Sequence, residues 1–122
     1  MATMKWYFAE YDAFWIESEA HNYTLRLSEF VGNGGNSFGD TSYGNIMYHE
    51  GMAFTTPDVD NDLWSTGSCA LLSNSGWWFN SCWWICLTCV YSSPNFSWYT
   101  LNGYPNASEA QLRAARMMIR RN

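Results

Sequence analysis

The stretch PDVDNDLWSTGSC, from Pro57 to Cys69, places three aspartates at alternate positions and ends at a cysteine. Like charges at this spacing repel one another unless something neutralises them. Asp58, Asp60 and Asp62 can direct several carboxylate oxygens at one point if the backbone curls. Calcium takes such oxygens as ligands, together with backbone carbonyls. The stretch therefore has two interpretations, a solvated acidic turn or a calcium-binding loop.

An EF-hand is excluded as the form of this loop. If the loop began at Asp58, Leu63 would stand where the EF-hand requires glycine. Cys69 would stand where it requires a bidentate glutamate. Any calcium site here must therefore be built in another way.

All four cysteines follow within a short segment, at Cys69, Cys82, Cys86 and Cys89. They allow two disulfides, with three possible pairings. Cys86 and Cys89 form a C-x-x-C pair, but zinc is disfavoured because His21 and His49 give no standard ligand spacing. A thioredoxin-type motif would need a βαβ unit that the sequence does not predict. A local disulfide and free thiols both remain open for this pair.

The length, composition and net charge of the chain limit the folds and the partners that are possible. The chain has 122 residues, enough for one domain, and 48% are hydrophobic, so a packed core is expected. The net charge of −5 argues against nucleic acid and anionic membrane as partners. No apolar run is long enough to span a bilayer, and the N-terminus lacks a signal-peptide pattern. His21 and His49 have no evident nucleophile partner, so no enzyme is expected.

Two segments with alternating polarity precede the acidic stretch. AEYDAFWIESE (9–19) and NYTLRLSEFVG (22–32) each predict a strand, and a hairpin joins them through Glu17 and Ser18. The second segment places Tyr23, Leu25 and Leu27 on one face. The glycine-rich segment 32–45 predicts a loop, with a flexible linker as the competing interpretation, and Phe38 and Tyr43 favour a loop packed onto the domain.

The rest of the chain divides into an irregular part and a regular end. From residue 47 to 94 no helix or strand period persists. At the C-terminus, Ser108 is a good N-cap for a helix, and MMIRR (117–121) predicts a strand or the continuation of that helix.

Aromatic residues crowd the irregular part. Most of them are expected in the core, but so many large rings in irregular chain are hard to bury completely, and some are expected to line a pocket for a methyl group or a sugar face. The cluster consists of Trp77, Trp78, Phe79, Trp83, Trp84, Tyr91, Trp98 and Tyr99.

Taken together, four ordered segments resemble the fibrinogen C-terminal-like domain, the recognition module of ficolins, tachylectins, fibrinogen chains, tenascins and angiopoietins. The family patterns are A-x-Y-D-x-F-x-V, H-N-G-M-x-F-S-T-x-D-x-D-N-D, G-x-W-W-Y-x-x-C-H-x-x-N-L-N-G and M-M-I-R-P. The corresponding segments here are AEYDAFWI, YHEGMAFTTPDVDND, GWWFNSCWWICLTC and MMIRR. The match is ordered and runs through nearly the whole chain.

The resemblance implies a calcium loop and a disulfide. Asp60 and Asp62 would supply carboxylates, and carbonyls near Trp64 and Thr66 would complete the calcium site. The resemblance also implies a disulfide between Cys69 and Cys82.

In lectin-like members of the family the peptide bond before the second cysteine is cis, which here is Ser81–Cys82. The resemblance then implies that the Cys82 N–H holds an acetyl carbonyl and that Tyr91 and Trp98 wall a methyl pocket.

The chain departs from the family pattern at several positions. Trp83 stands where the family usually has histidine, so a polar wall becomes apolar. Cys86 and Cys89 replace an asparagine and a glycine. One additional residue lies between Asp62 and Cys69, which can move the carbonyl ligands by one position. The chain also corresponds to the second half of the family domain.

The expected fold is α+β, a truncated fibrinogen C-terminal-like domain. A small antiparallel sheet (1–46) precedes a large irregular binding lobe (47–104) stabilised by calcium and disulfide. A C-terminal helix or strand (105–122) is expected to return to the sheet. The missing half leaves two expectations for partners, a homo-oligomer or a longer chain that supplies that half.

Two functions follow from the resemblance. The first is a calcium-dependent lectin that binds acetylated carbohydrate or similar neutral groups, as in innate immunity. The alternative is a protein–protein interaction module of the fibrinogen, tenascin and angiopoietin type, without a sugar pocket. Both imply an extracellular protein, in which the sequons at Asn22, Asn95 and Asn106 can be glycosylated.

Overall fold

The computed structural model describes residues 5–39, 48–83, 85–101 and 112–121. Short strands lie near the N-terminus of this part and one short helix lies in its middle. In chain order the elements are β1 (Ala9–Tyr11), β2 (Phe14–Ile16), a 3-10 helix (Glu19–His21), β3 (Leu25–Leu27), β4 (Phe30–Gly32) and α1 (Cys69–Ser73). No helix in the described ranges has the length and apolarity to cross a membrane.

The four strands form one long antiparallel hairpin with an interruption in its middle. β1 pairs with β4 and β2 pairs with β3, in a register that continues from one pair to the next. Two backbone hydrogen bonds span the interruption, from Asp12 N–H to Glu29 O (3.2 Å) and from Ser28 N–H to Ala13 O (3.0 Å). The predicted hairpin is therefore confirmed.

The predicted alternation holds within β3 and fails just before it. The Leu25 side chain is fully buried, whereas Arg26 on the opposite face is half-exposed and donates from Nε to Glu17 Oε1 at 2.8 Å. Tyr23 was expected on the same face as Leu25. It instead lies outside the strand at φ 53° with 44% of its surface exposed, because the hairpin connection includes it.

The glycine-rich loop packs on the domain through Phe38, as its sequence predicts. Phe38 is 4% exposed and contacts the rings of Trp77 and Trp98. Gly35 adopts φ +75°, and a side chain there would collide with Thr100. The loop is fastened by the bond between the Ser37 and Thr100 hydroxyls (2.8 Å). The loop is thus part of the core packing.

The lobe that follows is held by side chains and isolated bridges more than by ladders. Single antiparallel bridges join Thr55 to Trp77 and Ile85 to Trp98. The helix α1, over Cys69–Ser73, was not predicted, since no helical period is visible there. It begins because Ser68 caps it, accepting the Leu71 N–H on its hydroxyl at 3.3 Å.

His49 lies at the centre of the lobe and is fully buried. Its Nδ1 lies 2.7 Å from Trp78 O, and its Nε2 accepts the Ile85 N–H at 3.2 Å. One neutral tautomer satisfies both contacts, with the proton on Nδ1. Burial lowers the pKa of His49 to about 4. The hydrogen bond with the Trp78 carbonyl has the opposite, smaller effect and raises the pKa.

The core is assembled around the disulfide region and the tryptophans of the lobe. Partly buried rings from the hairpin, such as Tyr11 and Phe14, pack against it. The hairpin and the lobe therefore share one apolar centre. Its fully or nearly fully buried members are Leu25, Phe38, Cys69, Ala70, Trp77, Phe79, Ile85, Cys86 and Cys89.

The expected return of the C-terminal segment to the sheet is not found in residues 112–121. This range forms neither helix nor strand, and Met118 and Ile119 are largely exposed. A strand requires hydrogen bonds to a neighbour, and here the structure shows one, from Leu112 N–H to Phe96 O (3.0 Å). The predicted cap Ser108 lies outside the described residues. The subdomain boundaries at 46/47 and 104/105 stay predictions.

Candidate functional site

The acidic stretch is fixed to the core by the asparagine between its aspartates. The Asn61 N–H donates to Thr55 Oγ1 (3.0 Å), and its side-chain Nδ2 donates to Phe54 O (2.8 Å). Thr55 is itself fully buried. The aspartates on either side are thereby held in place, so the segment is not a freely solvated turn.

Asp62 organises the loop that leads into α1. Its Oδ1 accepts the Trp64 N–H at 2.9 Å and its Oδ2 accepts the Cys69 N–H at 2.7 Å. Asp60 is exposed, and its Oδ1 accepts the Asp62 N–H at 3.2 Å. One carboxylate therefore connects the loop at Trp64 to Cys69, the cysteine with which α1 begins.

The two carboxylates lie close enough to influence each other. Burial raises the pKa of Asp62 above its ordinary value, and the neighbouring Asp60 carboxylate adds to the rise. The N–H groups of Cys69 and Trp64 lower it. Two acidic groups in contact, one of them partly buried, form an environment in which a cation would relieve repulsion.

The donor set fits a hard cation such as calcium. Carboxylate oxygens keep further lone pairs after accepting one hydrogen bond each, and so do carbonyl oxygens. Trp64 O receives only a long bond from Gly67 N–H, at 3.4 Å. The described residues contain no group of three or more histidine, cysteine or acidic side chains that could hold a metal, so backbone carbonyls would have to contribute.

Both cysteine pairs are joined in the structure. Cys69–Cys82 ties the start of α1 to the loop after Phe79, and Cys86–Cys89 closes a four-residue turn. That turn is fastened from outside by Ser75, whose Oγ donates to Thr88 O at 2.8 Å. Of the options left open by the sequence, the C-x-x-C pair is thus a local disulfide.

Ser81 and Cys82 lie half-buried beside the first disulfide, and the peptide bond between them is cis. Within the part of the chain that the structure describes, the Cys82 N–H donates no hydrogen bond, while Cys82 O accepts the Asn80 N–H at 2.9 Å. Trp83 packs edge-on against Phe79 with ring centroids 5.9 Å apart. Among the described residues the Cys82 N–H thus has no acceptor, and the next residue, Trp83, is half-buried.

The other two residues of the predicted methyl pocket have different surroundings. Trp98 donates its indole N–H to Gly35 O (3.1 Å) and Thr100 Oγ1 (3.0 Å), so it mainly supports the glycine-rich loop. Tyr91 is 65% exposed and contacts Phe96 at a centroid distance of 5.7 Å. No hydrogen bond or ring contact among the described residues joins Tyr91 or Trp98 to Ser81 or Cys82.

Four exposed aliphatic side chains lie on the segment 59–72, which contains the end of the acidic stretch and α1, and we call them the 59–72 surface. Its members are Val59 (52% exposed), Leu63 (62%), Leu71 (65%) and Leu72 (60%). Sequence reasoning missed this surface because α1 was not foreseen. The signal was present in Ser68 followed by Cys69, Ala70 and two leucines, a capped helix start.

The glycosylation sequons occupy different environments. Asn22 is exposed at the end of the 3-10 helix, whereas Asn95 is half-buried and precedes the buried residues Phe96 and Ser97. Asn106 lies outside the described residues.

The fold and the disulfides define a class of protein, a disulfide-bonded domain of fibrinogen type. The chain matches the family described as fibrinogen beta and gamma chains, C-terminal globular domain, over residues 2–122. It belongs to that family, and the resemblance noted in its sequence is confirmed.

Similar proteins include angiopoietin-related protein 2 of mouse and human, each 44% identical over 75 residues. Human fibroleukin is 32% identical over 124 residues, covering 93% of this chain. The fibrinogen-like globe domain of human ANGPTL2 is similar in structure, with a TM-score of 0.68 and 33% identity over 88% of this chain. A lamprey fibrin D-dimer complexed with the peptide Gly-His-Arg-Pro-amide gives a TM-score of 0.70 at 29% identity over the same share of this chain.

The chain spans only part of each of these proteins. It covers 13% of angiopoietin-related protein 2, 28% of fibroleukin, 48% of the ANGPTL2 chain and 38% of the fibrin chain. Among the two functions expected from the sequence, these relatives favour the protein-interaction module over the lectin. Membership of this family is also consistent with a chain that is not an enzyme.

Proposed function

We propose that the chain is an extracellular protein-recognition module whose docking face is the 59–72 surface. The observation that carries this proposal is the concentration of four aliphatic side chains, each more than half exposed, on one short segment. Exposed apolar side chains grouped beside polar ones are typical of protein-binding surfaces. The similarity to angiopoietin-related proteins supports the same function.

The partner is a protein in this proposal, and the net charge of −5 favours one with a basic surface. The similar lamprey fibrin structure holds a peptide that contains arginine, which supports a peptide or protein ligand of that charge. Asp58, which lies beside Val59 and is not assigned to the calcium site proposed below, would then meet a basic group of the partner.

Calcium is the second part of the proposal. Asp60 and Asp62 would hold it with their carboxylates, and Trp64 and Thr66 with their carbonyls. The mutual contact of the two carboxylates and the purely oxygen donor set support this assignment. When bound, the ion would neutralise the repulsion in the loop. The chain's own Asn61 and Asp62 bonds would still fix the loop to the core and to α1.

The disulfides support an extracellular location for this chain. Two disulfides in one small domain form and persist in oxidising compartments and are rare in the cytosol. The similarity to fibroleukin and angiopoietin-related proteins supports the same location.

The test is a binding screen against an array of extracellular protein domains in calcium buffer. The Leu71→Glu variant places a charge on the docking face and also completes a capping box with Ser68, so it should stay folded. Val31→Glu, on the equally exposed β4, is the matched control. We expect Leu71→Glu to lose at least tenfold in affinity for the captured domain and Val31→Glu to retain it.

Recognition of acetyl groups is the second candidate, favoured by the free N–H of Cys82 beside Trp83. It is tested on the same protein with an N-acetylglucosamine resin and elution by acetate. Retention on the resin without binding to any protein domain would contradict the protein-recognition proposal and leave the lectin in its place.

A further inference from the structure

At the tip of the hairpin, hydrogen bonds hold the backbone of Asn22 and Tyr23 in place. Asn22 follows the 3-10 helix at φ 51°, and its N–H donates to Glu19 O at 2.9 Å. Its carbonyl accepts the Phe54 N–H at 2.9 Å, and the carbonyl of Tyr23 accepts the Trp78 indole N–H at 2.9 Å. The backbone of the tip is thus fastened to the lobe from both sides.

The Asn22 side chain takes no part in these contacts. The residue is exposed, and within the described residues its side-chain amide makes no hydrogen bond. Thr24, the hydroxyl residue that the sequon requires, lies two positions on. The structure therefore presents an acceptor amide to solvent on a fixed support, with room for a large substituent.

We propose that Asn22 carries an N-linked glycan. Its Nδ2 forms a bond to the anomeric carbon of an oligosaccharide carried on a lipid diphosphate. The bond from that carbon to the diphosphate oxygen breaks, the electron pair stays on the phosphate, and the amide gives up one proton. The proposal rests on the extracellular location, because this reaction belongs to the secretory pathway.

A purely structural role for the same residues is the competing explanation. Asparagine tolerates the left-handed conformation better than most residues. The Thr24 hydroxyl donates to His21 O at 2.7 Å, which gives it a use without any glycan. These structural roles explain the residue types but predict no modification. Detection of a glycan on Asn22 therefore distinguishes the two explanations.

Asn95 provides an internal comparison. It is half-buried, its N–H donates to Ser93 Oγ at 3.2 Å, and the Ser97 hydroxyl of its sequon is fully buried. A glycan on Asn95 would start from a half-buried residue that precedes two buried ones, whereas one on Asn22 would extend into solvent. We expect higher occupancy at Asn22 than at Asn95.

The test uses the full chain behind a heterologous secretion signal in mammalian cells, with protein taken from both the medium and the endoplasmic reticulum. Deglycosylation by peptide N-glycosidase in heavy-oxygen water converts each occupied asparagine into a labelled aspartate, which mass spectrometry locates. We expect the label at Asn22 in most molecules. Asn22→Asp should lose the Asn22 glycan, and Thr24→Ser should keep it.

Unlabelled Asn22, or a label at Asn95 that exceeds the one at Asn22, would overturn the proposal. The added secretion signal brings the chain to the glycosylation machinery whether or not the proposed recognition function is correct, so the two proposals are tested independently. An unmodified Asn22 in a protein that still binds its partner would refute the glycan alone, and a glycosylated protein without a partner would refute only the recognition function.

Discussion

At the scale of single residues, His49 makes the stability of the protein sensitive to acid. Its pKa in the folded state is about 4, below the ordinary value of 6.5. The folded state therefore disfavours the charged form. The stability that His49 contributes is fully present above about pH 6.5 and is lost as the pH falls towards 4.

We expect the free energy of unfolding to fall by about 1.4 kcal/mol per pH unit in that window from this group alone. Urea denaturation at several pH values measures the slope. His49→Gln should flatten it, and His21→Gln, at the exposed end of the 3-10 helix, serves as the control. An unchanged slope in His49→Gln would show that the buried imidazole has no such role.

At Gly35 the backbone conformation and the space around it both require glycine. Its φ of +75° and its contact with Thr100 mean that alanine would be strained and would collide. We expect Gly35→Ala to cost about 1–3 kcal/mol in the free energy of unfolding. Gly39→Ala, which would meet only the flexible side chain of Asn36, should cost less. Equal losses in thermal denaturation would mean that the loop is not anchored as described.

At the scale of elements, the two disulfides differ in the length of chain they close. The sequence separation between the joined cysteines is 13 residues for Cys69–Cys82 and 3 residues for Cys86–Cys89. On the loop-closure model they contribute about 3 and about 2 kcal/mol, respectively. We expect the Cys69→Ala, Cys82→Ala variant to be less stable than the Cys86→Ala, Cys89→Ala variant in guanidinium denaturation. The reverse order would indicate that the local disulfide has a larger role than closing its turn.

Sequence alone predicted the elements that follow a period and failed for those that depend on contacts. The hairpin was readable because Leu25 and Leu27 alternate with polar residues. Tyr23 was predicted incorrectly because it belongs to the hairpin connection, where its φ of 53° takes it out of the strand pattern. The helix α1 is too short for a period, and only its cap at Ser68 marks it. The family patterns located the acidic loop, but the use of Asp62 to hold Cys69 is visible only in the structure.

At the scale of the whole molecule, one apolar centre joins the hairpin to an irregular lobe, and the acidic loop borders both α1 and the first disulfide. Few hydrogen-bonded ladders support this lobe, so its order depends on buried side chains, disulfides and the proposed ion. Ligands that bind only the folded state stabilise it by mass action. Calcium should therefore raise the stability of the entire lobe and not of the loop alone.

Calorimetric titration of the oxidised protein with calcium, combined with thermal denaturation in calcium and in EDTA, tests the central claim. We expect one calcium ion per chain and a stabilisation of about 2.7 kcal/mol when calcium exceeds its Kd a hundredfold. The Asp60→Ala, Asp62→Ala double variant should lose both effects, and Asp58→Asn should keep them. If the protein without substitutions binds no calcium and melts at the same temperature in calcium and in EDTA, the account of a recognition lobe stabilised by calcium is contradicted.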